Sequence, residues 1–131
     1  MNPVFLSIDN VLAMHEDTIE QEGGMSGIRD IALLESAVMM PQQQFGGDYL
    51  HPDLPSMASA YLFHLVKNHP FLDGNKRVSA MSAFVFLDVN GYDLTASPDA
   101  FEKTVIDVAS GEMSKEMLTT WFHEHAAEKN Q

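Results

Sequence analysis

The sequence contains no cysteine. That removes disulfides, thiolate metal sites and a thiol nucleophile together, and it suits a reducing cytoplasm. Basic residues are also scarce: seven Lys and Arg stand against nineteen Asp and Glu, for a formal net charge of -12. A field of that sign repels nucleic-acid backbones and anionic membranes, so neither is an expected partner. No apolar run approaches the roughly 20 residues that span a bilayer. The start, Met1 to Asp9, has no basic stretch leading into an apolar one, so it does not read as a signal peptide. A soluble cytoplasmic protein is expected. Internal repeats, low-complexity tracts and linker-like stretches are absent as well. The 131 residues, 45% of them apolar, are therefore expected to close one core as a single domain over 1–131.

What is present is helical periodicity almost throughout, and it predicts an all-α bundle of about six helices. The first runs from Ile8 to Glu22, with Ser7 as N-cap and Gly23-Gly24 ending it. The second runs from Ile31 to Met40, capped by Asp30 and stopped before Pro41. A third starts at Asp53 and reaches Asn68; a fourth starts near Gly74 and continues to Gly91. Both are apolar on nearly every side, which predicts a buried central pair. Ser97-Pro98 opens a fifth helix with Phe101, Val105 and Val108 as its inner stripe. A sixth follows Ser114, with Met117, Leu118, Trp121 and Phe122 expected to face inward. The breaker-rich segment from Pro41 to Pro52 is expected as a loop or short hairpin. Helical-face spacing makes core filling the expected role for most of the nine Met residues, although Met39, Met40, Met57 and Met81 could also suggest a docking surface.

The central pair is joined by His69-Pro70-Phe71-Leu72-Asp73, and the fourth helix opens on Gly74-Asn75-Lys76-Arg77. The first turn of a helix has N–H groups without intrahelical partners and the positive end of the macrodipole, which together form an anion cradle. Gly74 has no Cβ to keep a phosphate away from the backbone. Lys76 and Arg77 add two charges, one compact and one forked for bidentate contact with phosphate oxygens. Lys67 lies nearby, so three of the seven basic residues fall within eleven positions. Asp73 is placed to hold Mg²⁺ through a carboxylate oxygen, with water and nucleotide phosphates completing the shell. His69 carries an imidazole, which could accept the proton of an attacking hydroxyl. Phe71 reads as an apolar plug. Taken singly, each of these residues also fits a helix cap or a turn.

The nine positions from His69 to Arg77 resemble the signature of the Fic/Doc superfamily: His-Pro-Phe, any residue, Asp or Glu, Gly-Asn, Gly or Lys, then Arg. The stretch from Gly23 to Asp30, with Leu33-Leu34-Glu35-Ser36-Ala37, is similar to the Doc (death-on-curing) branch. The resemblance implies a compact helical Fic/Doc fold, His69 as general base, Asp73 as Mg²⁺ ligand, and Gly74, Asn75, Lys76 and Arg77 as binders of the ATP phosphates. It further implies that the segment from Gln42 to Pro52 is the family's flap, which docks the target as an added strand. Broader Fic members transfer AMP; they have Gly where Lys76 stands and a second Arg where this chain has Ala80. Doc relatives are toxins that phosphorylate a threonine of elongation factor Tu and so block translation. A Doc-like kinase is therefore the first expectation, with AMP transfer as the alternative. Some Doc relatives have Asn where Met81 stands, so one ligand contact is expected to be lost here.

Fic proteins often carry an inhibitory helix with Ser or Thr followed four residues later by Glu before Gly or Asn, and that Glu pairs with the second Arg. With Ala80 in its place, such inhibition is expected to lack a partner. Restraint is expected instead from an antitoxin whose disordered segment folds over the active-site groove. Two rivals stand beside this reading. One is a silent peptide-binding module. The other is a metallohydrolase using His15, His51, His64 and His69, although no His-Glu-x-x-His pattern supports it. His64 reads better as a packed or capping residue, and His123 and His125 as members of a polar terminal helix.

Overall fold

A computed structural model describes residues 2–129. Its helices are α1 (Ile8–Glu22), α2 (Ile31–Met39), α3 (Leu54–Asn68), α4 (Asn75–Val89), α5 (Pro98–Ser110) and α6 (Lys115–His125). Five of the six begin as the sequence predicts, on a side chain that accepts a backbone N–H of the first turn. Ser7 accepts from Asn10, Asp30 from Leu33, Asp53 from Ser56, Ser97 from Ala100 and Ser114 from Met117. Each such cap is worth about 1 kcal/mol. The exception is α4, whose N-cap is Gly74 and whose first turn receives no side chain. That difference falls at the segment singled out for chemistry.

The mostly α fold is built around α3. Met57, Ala58, Ala60, Tyr61, Leu62 and Leu65 are fully buried on it, and α4, with Ser79, Ser82 and Ala83 buried, packs closely alongside. The Tyr61 hydroxyl accepts from the Leu6 N–H at 2.9 Å, tying the N-terminal segment to the core. Burial pushes that phenol up to about 12, against the pull of the Leu6 N–H.

Several expectations need correction. The α4 helix is buried on one side only, with Phe84 and Val89 each 49% exposed. Its outer face borders a groove in place of another helix, a difference invisible to periodicity. Met117 is 53% exposed, while Leu118 and Phe122 carry the inward face of α6. Of the Met residues among those described, only Met57 is fully buried, and Met25, Met39 and Met117 are exposed. The second helix does not stop cleanly before Pro41: after Met39 it tightens into a 3₁₀ turn, Met40–Gln42, with Pro41 inside it. The next segment is the short hairpin anticipated as one of two options, β1 (Gln44–Phe45) paired antiparallel with β2 (Asp48–Tyr49). An additional two-stranded sheet, β3 (Tyr92–Leu94) with β4 (Ala126–Glu128), closes the end of α6 against the end of α4. Three-residue strands are too short to show alternation in a sequence. No helix among the described residues is long and apolar enough to cross a membrane.

Candidate active site

The α3 helix ends on His69 in the left-handed conformation, φ 49° and ψ 54°, the one non-glycine residue with positive φ among those described. An L-residue there costs about 1–2 kcal/mol, so the neighbourhood must hold it. The connection between α1 and α2 does so. Arg29 Nε donates to His69 O at 2.6 Å and Arg29 Nη2 to Asn68 O at 2.8 Å, so one guanidinium satisfies two carbonyls at the end of α3. The backbone N–H groups of Arg29 and Asp30 both donate to Pro70 O, and Leu72 N–H donates to Gly27 O. Ile28 and Phe71 form an isolated antiparallel bridge. Two loops far apart in sequence thus fix each other.

Phe71 is fully buried, as a plug should be. Its ring stacks on the buried His15 ring, with centroids 3.8 Å apart and planes 7° apart. His15 Nε2 lies 2.7 Å from Asp73 O; a carbonyl only accepts, so the ring carries its proton on Nε2. Asn75 is buried, and its side chain brackets Phe71: Oδ1 accepts from Phe71 N–H and Nδ2 donates to Phe71 O, both at 3.0 Å. Its amide is therefore consumed in shaping the turn. Its backbone N–H, at the start of α4, is what it can offer a ligand.

Asp73 keeps its carboxylate outside the core. Oδ2 accepts from Met25 N–H at 3.1 Å and Oδ1 from Gly74 N–H at 2.8 Å. These two N–H groups, Met25 first, hold the carboxyl below the usual carboxylate range, with a weaker pull from Arg77 and a small opposing push from burial. Gly24, at φ +117°, approaches so closely that a Cβ there would stand 2.7 Å from Asp73 Oδ2. Gly74 is required for a reason other than ligand approach. At φ +78° its missing Cβ would meet Ile19 and His15 at 3.3 and 3.4 Å, so the space is filled by α1.

A cavity of about 400 Å³ is lined by all six residues that the sequence singled out, His69, Asp73, Gly74, Asn75, Lys76 and Arg77. The His69 ring is exposed and makes no hydrogen bond to another described residue. Lys76 is exposed and pairs with no carboxylate among the described residues. Arg77 is already engaged: Nη1 lies 3.3 Å from both Glu22 Oε2 and Gly23 O at the end of α1. Glu22 follows Thr18 by four residues and precedes Gly23, the spacing of the inhibitory pattern that was expected to find no partner. Here it pairs with the first arginine. Lys76 and Arg77 also open a second cavity, about 850 Å³, whose walls include Met81, Phe84, Phe101 and Ile106.

Three contributors were given no part in this site from the sequence: Arg29, which only fell within the Doc-like stretch, His15, weighed only as a metal ligand of the rival reading, and Glu22. The Thr18-to-Gly23 spacing could have flagged Glu22. The histidines grouped as a rival metal set are dispersed, His15 on Phe71, His51 and His64 on Lys115, His69 in the cavity. No group of three or more His, Asp or Glu side chains that could hold a metal occurs among the described residues.

Fold and site define a mostly helical domain that presents a His-Pro-Phe turn and a Gly-Asn-Lys-Arg helix start to one cavity. The model of the Fic/DOC family matches residues 5–87, and the chain belongs to that family, on its Doc branch. It is similar to Toxin Doc of Mycolicibacterium smegmatis, 42% identical over 77 residues, which cover 59% of each protein. It is also similar to Protein kinase doc of Escherichia phage P1, 31% identical over 109 residues, covering 83% of this chain and 85% of that protein.

Proposed function

We propose that the chain is a Doc-type toxin that transfers the γ-phosphoryl group of ATP to a Ser or Thr hydroxyl of a translation factor. The observation that carries this reading is the meeting of His69, Asp73, Lys76 and the uncapped start of α4 at one cavity. The likeness to a relative named a protein kinase supports it. The nine-residue motif and Ala80 in place of a second arginine favour γ-phosphoryl over AMP transfer. Elongation factor Tu is the target implied by resemblance, and arrested translation the consequence.

His69 would take the hydroxyl proton as the oxygen bonds the γ-phosphorus, while the β–γ bridging P–O bond breaks and ADP leaves. Its unpartnered ring is free for that task. Asp73 would hold Mg²⁺, and its environment fits. The carboxylate is kept ionised, and its two backbone bonds use two of about four lone-pair positions, leaving room for a cation. The ion supplies charge neutralisation on the phosphates. The backbone N–H groups of Asn75, Lys76 and Arg77, unpaired at the helix start, and the Lys76 ammonium would bind phosphate oxygens. Arg77 joins them after leaving Glu22.

The test uses ATP labelled separately at the α- and γ-phosphates, with Mg²⁺ and cell extract. Label should pass from the γ-position only, and His69→Ala should lower transfer by about 10²–10⁴-fold, the range of a lost general base. Transfer of the α-label alone would mean AMP transfer and sink the kinase reading.

The groove between α1, α4 and α5 is the proposed seat of an antitoxin segment that folds on binding. Phe84→Glu on its wall should leave transfer intact and abolish growth rescue by the co-expressed antitoxin. Undiminished rescue would place the antitoxin elsewhere.

A further inference from the structure

Away from that cavity, His51 after the hairpin, His64 on α3 and Lys115 at the start of α6 form a cluster with no part in the proposed reaction. Lys115 Nζ lies 2.9 Å from His51 Nε2 and 2.8 Å from His64 Nε2. The lysine nitrogen donates in both bonds, so each ring presents a lone pair at Nε2 and keeps its proton on Nδ1. His51 is buried, and its Nδ1 has no hydrogen-bond partner. Despite nineteen acidic side chains in the chain, Lys115 pairs with no carboxylate among the described residues, not even the adjacent Glu116.

Lys115 keeps both of these bonds when its ammonium gives up a proton. A neutral amine has two N–H groups, and two imidazoles accept them; the third proton of an ammonium finds no acceptor among the described residues. Burial holds the Lys115 amine below the ordinary lysine range. Burial first, then the Lys115 charge, lowers both rings, and a small push from His51 adds to the fall of His64 to about 4. A cavity of about 320 Å³ opens on His51 and Lys115, with Leu50 and Pro52 as apolar wall and Ser56, Glu116 and Thr119 as polar wall. It shares no lining residue with the active-site cavity. An amine beside a neutral base, in a pocket with apolar and hydrogen-bonding walls, has the makings of a nucleophile.

We propose that Lys115 is a reactive lysine that takes an acyl group from a small acyl thioester, making this cluster a covalent modification site separate from the active site. The Nζ lone pair adds to the thioester carbonyl carbon, the C–S bond breaks, and the thiolate leaves with the bonding pair. The proton lost from Nζ passes to His51 Nε2 and from there to the thiolate or solvent, giving an amide and a free thiol. His51 is the acceptor because His64 is held at about 4 and is the weaker base. The amide keeps one N–H, so one of the two rings loses its partner. Acylation thereby loosens the tie from the end of the hairpin to α3 and α6.

The test treats the whole protein with S-acetyl-N-acetylcysteamine near neutral pH and follows acetylation of each lysine by peptide mass spectrometry. Lys115 should react several-fold faster than the exposed Lys103, because a lowered pKa leaves more free amine at a given pH. Lys115 reacting no faster than Lys103 overturns the proposal. In His51→Gln, which keeps an acceptor but removes the base, Lys115 should slow while Lys103 is unchanged. An unaltered Lys115 rate would overturn His51 as the proton acceptor. Should that variant misfold, the wild-type ratio of Lys115 to Lys103 still decides.

Discussion

At the scale of single residues, Arg29 shows how a remote side chain sets the geometry of the candidate base. His69 adopts a backbone conformation that is unfavourable for an L-residue, and the Arg29 fork is bonded to its carbonyl and to that of Asn68. A hydrogen bond from a charged donor contributes roughly 1.5–3 kcal/mol, and less where solvent competes. Arg29→Ala should therefore cost about 1–2 kcal/mol of stability in urea titration and lower transfer more than the stability loss explains. Arg29→Lys should fall between, because an ammonium is a point charge and not a two-pronged fork. An alanine variant with unchanged stability and rate would remove Arg29 from this role. The residues from His69 to Arg77 were legible in the sequence because they are contiguous and chemically distinctive. Arg29 was not, because it lies 40 positions from its partner and nothing in a linear string marks that closeness. Asn75 was legible as a candidate that lines the cavity, but its bracket around Phe71 was not, since that exists only once the turn has formed.

At the scale of elements, most of the helices could be read because their caps are local: a Ser or Asp and the N–H three residues on are neighbours before folding. The sheet of β3 and β4 could not, since it pairs Tyr92 with Glu128 and neither strand has periodicity of its own. The meeting of the end of α1 with the start of α4 is equally non-local, and it carries a functional consequence. Glu22 and the Gly23 carbonyl draw the Arg77 guanidinium toward α1, so under the proposed function a nucleotide phosphate would have to compete for it. Both side chains are substantially exposed, 37% and 58%, which limits the pair to about 1 kcal/mol or less. Glu22→Gln should then lower the KM for ATP by up to about fivefold, the equivalent of 1 kcal/mol, with kcat unchanged. An unaltered KM would mean that Arg77 leaves Glu22 without cost. A rise would mean that Glu22 orients Arg77 for the nucleotide instead of withholding it.

At the scale of the whole molecule, the net charge of -12 is offset locally, because Lys76 and Arg77 lie at the cavity while Lys67 and Arg29 flank the same connection. The charge also shapes stability against pH, through two effects of opposite sign. As pH falls toward the isoelectric value near 4.6, carboxylates lose charge and self-repulsion relaxes, which favours the folded state. The His51 and His64 rings act the other way. Burial and the Lys115 ammonium hold His64 near 4 in the fold, against 6.5 for a free ring, and lower His51 as well. Between pH 6.5 and 4 the unfolded chain binds protons that the folded chain does not, so stability falls as pH falls. His64 is only half-buried, and screening discounts its effect to on the order of 1 kcal/mol, or about 4 °C in Tm. The lowered Asp73 carboxyl acts below this window, its stabilisation being lost only as pH falls beneath the ordinary carboxylate value of 3.8. A His51→Gln, His64→Gln double variant separates the two effects, since the surface carboxylates are common to both proteins. Calorimetry from pH 7 to 4.5 should show the wild-type Tm dropping by about 4 °C more than that of the variant. Parallel Tm curves would mean that both rings take up protons as readily in the fold as out of it, and that the Lys115 cluster does not keep them neutral.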